Sequence, residues 1–224
     1  METARAHTST AEAGTSAQRE YERRATKREA EVRRRHPKIG GFLLAIREEP
    51  QSTTSWAKGA RGERVVGERL DALSEDGVIA LHDRRKPRSK GNIDHIAITP
   101  TGIHVIDAKQ YKGRLERRDV GGWLRSDERL YVGGRDRTPL TGGVIGQAAA
   151  VREALNGGFG DVPIWSILCF VHCDVGVLTR PFLVNGVRVT WPRALQKSLV
   201  EPGVVNAVTR AQLAEALDRR LTPA

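Results

Sequence analysis

The chain has 224 residues, 39% hydrophobic and 29% charged, with a formal net charge of +10 and a pI near 10.2. That length suits one full-sized core with an appendage, and no run approaches the ~20 apolar residues that cross a bilayer; the candidate nearest the start, Phe42 to Ile46, is far too short. A secretory signal is not expected in so charged an opening segment, and so large a positive excess favours a polyanionic partner: DNA, RNA or an anionic membrane surface.

Residues 1 to about 16 are small and polar and read as disordered. From Gln18 to Arg35 nearly every residue is charged or polar, which fits one solvated helix stopped by Pro37. Tyr21, Ala25 and Val32 are too sparse for a coiled-coil seam, so this arm has two readings, a phosphate-binding arm or a solubilising tail. The apolar patch 42–46 is placed to dock on the main domain, and Gln51 to Ser55 reads as linker. A helix is expected over about Lys58–Leu73, then a strand over Val78–His82 and a basic loop containing Arg84, Arg85, Lys86, Arg88 and Lys90. Strands follow at about 92–98 and 103–109 around Thr99-Pro100-Thr101-Gly102. Shorter strands near 112–118 and 123–132 are broken by paired glycines, and a helix is expected over Val144–Leu155. Pro163–Val171 is apolar enough for a central strand covered on both faces. The remainder holds a hairpin around Asn185-Gly186 and two helical pieces, the first opened by Trp191-Pro192. This order indicates an α/β fold with a mixed sheet and helices on both faces. The domains expected are an extension and linker over 1–55, a core over 56–175, and a C-terminal extension packed on it over 176–224.

Cys169 and Cys173 are the two cysteines, with His172 between them. Three soft ligands in so short a span raise the idea of zinc, but a structural zinc site usually draws four ligands from separated pairs. Buried free thiols at a strand end are the expected reading, and the absence of a cysteine framework suits a reducing cytoplasm.

The chemistry concentrates in the hairpin. Strand side chains alternate, so Ile103, Val105, Asp107 and Lys109 share one face, as do Asp94, Ile96 and Ile98. A four-residue connection at 99–102 pairs Ile98 with Ile103, Ile96 with Val105 and Asp94 with Asp107, leaving the two carboxylates about 4.5–5.5 Å apart at Cβ on the apolar face. Like charges there need compensation, from a shared proton, from Lys109 or from a divalent cation. All-oxygen ligands favour Mg²⁺, Mn²⁺ or Ca²⁺ over zinc. Glu63 lies three, seven and ten residues before Val66, Leu70 and Leu73, on their core-facing stripe. It is either a half-exposed acid near a helix end or one aimed into a site. The set suits phosphodiester hydrolysis, with Asp94 and Asp107 as metal ligands and Glu63 as a direct or water-mediated third. Lys109 would orient water or meet transition-state charge. Arg84, Arg85, Lys86, Arg88, Lys90 and Lys112 would grip the flanking backbone.

Gly59-Ala60-Arg61-Gly62-Glu63, Asn92-Ile93-Asp94-His95-Ile96 and the block Thr101-Gly102-Ile103-His104-Val105-Ile106-Asp107-Ala108-Lys109-Gln110-Tyr111-Lys112-Gly113 resemble the nuclease-related domain (NERD) family of the PD-(D/E)xK nuclease superfamily. The resemblance spans roughly 56–175. It implies a restriction-endonuclease-like sheet flanked by helices and a divalent-metal-dependent nuclease using Mg²⁺ or Mn²⁺, with DNA placed ahead of RNA as substrate. Glu63 would match the helix acid, Asp94 the first strand acid, and Asp107 with Lys109 the (D/E)xK pair. Gln147 resembles the further polar residue that many members carry on the helix after the sheet; a surface glutamine is the plain alternative. Members often carry Glu where Asp107 stands, and Ile93 stands where the superfamily name has Pro. A module that binds nucleic acid or acts as a scaffold without turnover is the alternative function. A third is an adaptor whose basic arm contacts an anionic membrane or a partner.

Overall fold

The computed structural model describes residues 12–35, 51–89, 91–122, 125–155 and 158–224. Five helices occur among them: α1 (Thr15–Arg35), α2 (Gln51–Asp71), α3 (Leu140–Leu155), α4 (Pro192–Leu199) and α5 (Ala207–Arg220). The nine strands are β1 (Ile79–Arg85), β2 (Asn92–Thr99), β3 (Gly102–Gln110), β4 (Leu115–Asp119), β5 (Glu128–Val132), β6 (Arg135–Asp136), β7 (Ile164–Val171), β8 (Phe182–Val184) and β9 (Val187–Thr190).

Six strands form one mixed sheet in the order β1-β2-β3-β7-β9-β8. β1, β2 and β3 are antiparallel neighbours, β7 runs parallel to both β3 and β9, and β8 closes on β9 as a hairpin. β4, β5 and β6 form a separate small antiparallel sheet. The predicted mixed sheet with helices on both faces is therefore present. Of the predicted 123–132 strand, residues 128–132 form β5, which lies in the small sheet and not in the main one.

Period-two alternation divides the core cleanly. On one face Ile96, Ile98, Ile103, Val105, Leu168 and Phe170 pack with Val144, Val151 and Leu155 of α3 and Leu213, Ala214 and Leu217 of α5. On the other, Ala97, Ile106, Ala108, Ile167 and Cys169 pack with Val66 and Leu70 of α2 and Leu195 and Leu199 of α4. Covering both faces of the β3–β7 pair is what parallel pairing requires, and β7 is the predicted central strand.

Two sequence expectations need correction. Residues 51–55 are the first turns of α2, not a linker, because the helix is carried by the core stripe further along it rather than by local propensity. The segment after residue 175 supplies β8 and β9 to the main sheet, so it completes the sheet as well as packing on it. Residues 222–224 run beside the outer edge of β1, with Arg85 N–H donating to the Thr222 carbonyl at 2.8 Å and Ala224 N–H to the Asp83 carbonyl at 2.9 Å; this covers an open strand edge. The charged arm is helical as expected, and α1 is docked at its start: Ala17 is buried, and Gly14, at φ +78°, lies so close to α2 that a Cβ would stand 2.7 Å from the Ala60 carbonyl oxygen. The apolar patch 42–46, Pro37, Lys90 and residues 1–11 lie outside the described residues.

Candidate active site

The hairpin register agrees with the sequence reading where the ladder runs: Ile98 faces Ile103 and Ile96 faces Val105. The ladder ends at His95 and Ile106, one position short of the expected 94–107 pair. Beyond it, the Asp94 carboxylate takes over the role of backbone, with Oδ2 accepting from the Ala108 N–H at 2.9 Å. Asp94 and Asp107 still come together on the face of Ile96 and Val105. His95, one residue on, points to the opposite face, where its Nδ1 lies 2.9 Å from Nδ1 of His82.

Asp107 is buried and Lys109 half-buried, and the Lys109 ammonium donates to Asp107 Oδ1 at 2.7 Å. Alternate positions on one strand place them side by side. α2 covers the other face of the sheet, yet Glu63 reaches the same place. Gly62 rests on the end of β3, where a Cβ would stand 3.3 Å from that of Gln110, and this close approach carries the next side chain over the strand end. α3 brings Gln147 from the remaining side. Glu63, Asp94, Asp107, Lys109, Gln110, Tyr111 and Gln147 all line one cavity of about 470 Å³.

Its electrostatics are those of an incompletely neutralised acidic cluster. Burial, and then the charges of Asp107 and Glu63, hold the Asp94 carboxyl well above the usual carboxylate range. Burial also raises Glu63 to about 7, helped by the neighbouring charges of Asp83 and Asp107 and opposed by Lys109. Burial works to deprotonate Lys109, but Asp107, Asp94 and Glu63 outweigh it and keep the ammonium above its ordinary value. Three carboxyl groups face one ammonium, and the raised values of Asp94 and Glu63 express a crowding of negative charge that a bound cation would relieve. Two buried amide oxygens at its wall, Gln147 Oε1 and Gln110 Oε1, have no hydrogen-bond partner among the described residues. Nothing in this donor set but oxygen and one amine is available, which suits a hard divalent ion. No ready-made group of three or more His, Cys, Asp or Glu side chains placed to hold a metal occurs among the described residues. Cys169 and Cys173 are free thiols, and burial raises the pKa of both, in line with packing rather than zinc.

The basic residues are more dispersed than expected. Arg84 is a correction: it is 1% exposed, and its guanidinium donates to Asp218 Oδ1 at 2.5 Å and the Leu221 carbonyl at 3.3 Å, so it joins α5 to β1 inside the protein. β1 runs on to Arg85, past the predicted loop start, and turns position 84 inward. Arg85 is exposed, Lys86 holds its ammonium over Gly146 of α3, and Arg88 pairs at 3.4 Å with Glu153. Lys112 is exposed and does not line the cavity.

Sequence reasoning missed Ser16, Asp83 and Asn92. Asn92 stands two residues before Asp94 and lines the same cavity. Asp83 and Ser16 carry no local signal. They meet because the start of α1 docks beside β1: Ser16 N–H and Oγ donate to the two Asp83 carboxylate oxygens at 2.6 and 2.7 Å, and Asn92 Nδ2 donates to Ser16 Oγ at 2.7 Å.

No curated protein and no solved structure matches the chain. The family model of the nuclease-related domain matches residues 58–171, a span that holds Glu63, Asp94, Asp107, Lys109 and Gln147 and whose general kind is the PD-(D/E)xK nuclease. With the mixed α/β fold in place and half of its length matched, the chain belongs to the nuclease-related domain (NERD) family.

Proposed function

We propose that the protein is a divalent-metal-dependent nuclease that hydrolyses phosphodiester bonds in DNA. The observation that carries this reading is the convergence of Glu63, Asp94, Asp107 and Lys109 from a helix and two strands on one cavity, with the Glu63 and Asp94 carboxyls held above their usual range. Asp94 and Asp107 would hold Mg²⁺ or Mn²⁺, with Glu63 as third ligand, directly or through water. When bound, such an ion neutralises phosphate charge and makes water more acidic.

The chain's own groups do the remainder. Lys109, oriented by its 2.7 Å bond to Asp107, presents an ammonium to a substrate oxygen and stabilises charge that grows in the transition state. The Ala108 N–H fixes Asp94 by holding one carboxylate oxygen to the strand, which keeps the group beside Asp107. Gln147, with its unpartnered amide oxygen, is placed to accept from water or from the substrate. The partial burial of the site strengthens each of these interactions relative to water.

The test is cleavage of linear, nicked and single-stranded DNA by purified protein with Mg²⁺, Mn²⁺ or EDTA. Asp107→Ala and Lys109→Ala are expected to lose activity by at least about a hundredfold. Metal-independent binding with no cleavage by the wild type would favour the scaffold reading. Equal cleavage by wild type and variants would expose a contaminant.

A further inference from the structure

A second groove of about 630 Å³ adjoins the acidic cavity. It is lined by Arg19, Glu20 and Arg23 of α1, by Arg85 and Ser89 beyond β1, and by Ala224. Ser16 and Asn92 line both hollows, so the latch that docks α1 is also the wall between them. Arg19 and Arg23 are four residues apart and share one helix face. Three guanidinium groups and one side-chain carboxylate line this groove, and that carboxylate, Glu20, is already engaged by Arg23 and Arg24 at 2.8 and 2.6 Å. Arg19 donates to the backbone oxygen of Ala224, which steadies it against the segment covering β1. The Arg85 side chain has no ion-pair partner among the described residues. The groove thus has the sign opposite to its neighbour, and its charges are fan-shaped donors suited to phosphate oxygens.

We propose that α1 is part of the substrate-binding surface. Arg19 and Arg23 from one side and Arg85 and Ser89 from the other hold the sugar–phosphate backbone of the nucleic acid next to the cavity of Asp94, Asp107 and Lys109. The inference deepens the nuclease reading and rests on it for the identity of the strand. Arg19 and Arg23 lie outside the 58–171 family match, so the α1 side of this surface is supplied by the chain's own extension. The carboxylate of Asp83 sets its position by accepting from the first turn of α1, where a negative charge is favoured. Basic residues at the entrance of an acidic centre also draw in the polyanion that the centre by itself repels.

The experiment measures binding of a fluorescein-labelled DNA duplex to the full chain in EDTA over a series of KCl concentrations, so that cleavage plays no part. The proteins are wild type, the double variant Arg19→Ala/Arg23→Ala, Arg85→Ala, and Arg117→Ala/Arg118→Ala, which removes the same charge from the small sheet. Circular dichroism checks helix content; the substituted side chains are exposed enough for the fold to tolerate them. Loss of two phosphate contacts is expected to make the slope of log K against log salt shallower by about 1.8, and loss of Arg85 by about 0.9. An unchanged slope, or an equal change in the small-sheet control, overturns the proposal. So does a double variant that loses binding to phosphatidylserine vesicles while its DNA slope is unchanged. Absence of cleavage by wild type with Mg²⁺ or Mn²⁺ would refute the nuclease reading separately, because the slopes are measured without metal.

Discussion

Glu63 turns the acidity of the site into a stability measurement. Its carboxyl titrates at about 7 in the folded chain against an ordinary 4.5, chiefly because of burial. Below 4.5 the group is protonated in both folded and unfolded chains. Between 4.5 and about 7 the unfolded chain ionises while the folded one keeps its proton, so stability present at low pH is lost as pH rises, and above about 7 the loss is complete. At about 1.4 kcal/mol per pH unit the interval amounts to roughly 3 kcal/mol, or about 6–12 °C in Tm for a chain of this size. Asp94, raised for the same first reason, acts in the same direction. Thermal unfolding in EDTA at pH 5 and pH 8 should therefore show Glu63→Gln gaining on the wild type as pH rises, because the amide carries no charge to bury. Mg²⁺ at pH 8 should restore stability to the wild type and restore less to the variant. A wild type and a Glu63→Gln variant that keep the same difference in Tm at both pH values would refute the reasoning.

Arg84→Ala tests the reassignment of that residue from the nucleic-acid surface to the interior. Truncation removes the buried guanidinium that joins β1 to α5 through Asp218 and is expected to cost about 3–5 kcal/mol in urea unfolding, with the salt slope of DNA binding unchanged. Native protein should leave Cys169 unmodified by iodoacetamide until it unfolds, since the thiol is fully buried and burial pushes it up. Cys173, pushed up to about 11, should react slowly at neutral pH; fast labelling of Cys169 under native conditions would contradict the packing.

The hairpin was legible in the sequence because strand periodicity is local. Ile96, Ile98, Ile103 and Val105 declare which face is buried, and Asp94, Asp107 and Lys109 inherit that face by alternation. Glu63 was legible for the same reason at helical period, and the Asn185-Gly186 hairpin from its turn chemistry. Arg84 was not. In a run of arginines nothing local marks the one that turns inward, and its partner lies 134 residues away. The early start of α2 was equally hidden, since polar residues 51–55 follow a helix stabilised elsewhere.

Local sequence pattern is enough to name the residue types of the site, the faces they occupy along each element and the family to which the core belongs. The docking of α1 at the site's edge through Ser16 and Asp83, the closing of the hairpin by Asp94 through Ala108 and the interior place of Arg84 come from long-range packing. Periodicity specifies which side of a helix or strand is buried, whereas these contacts join elements distant along the chain, and their partners are chosen by the packing of the whole sheet.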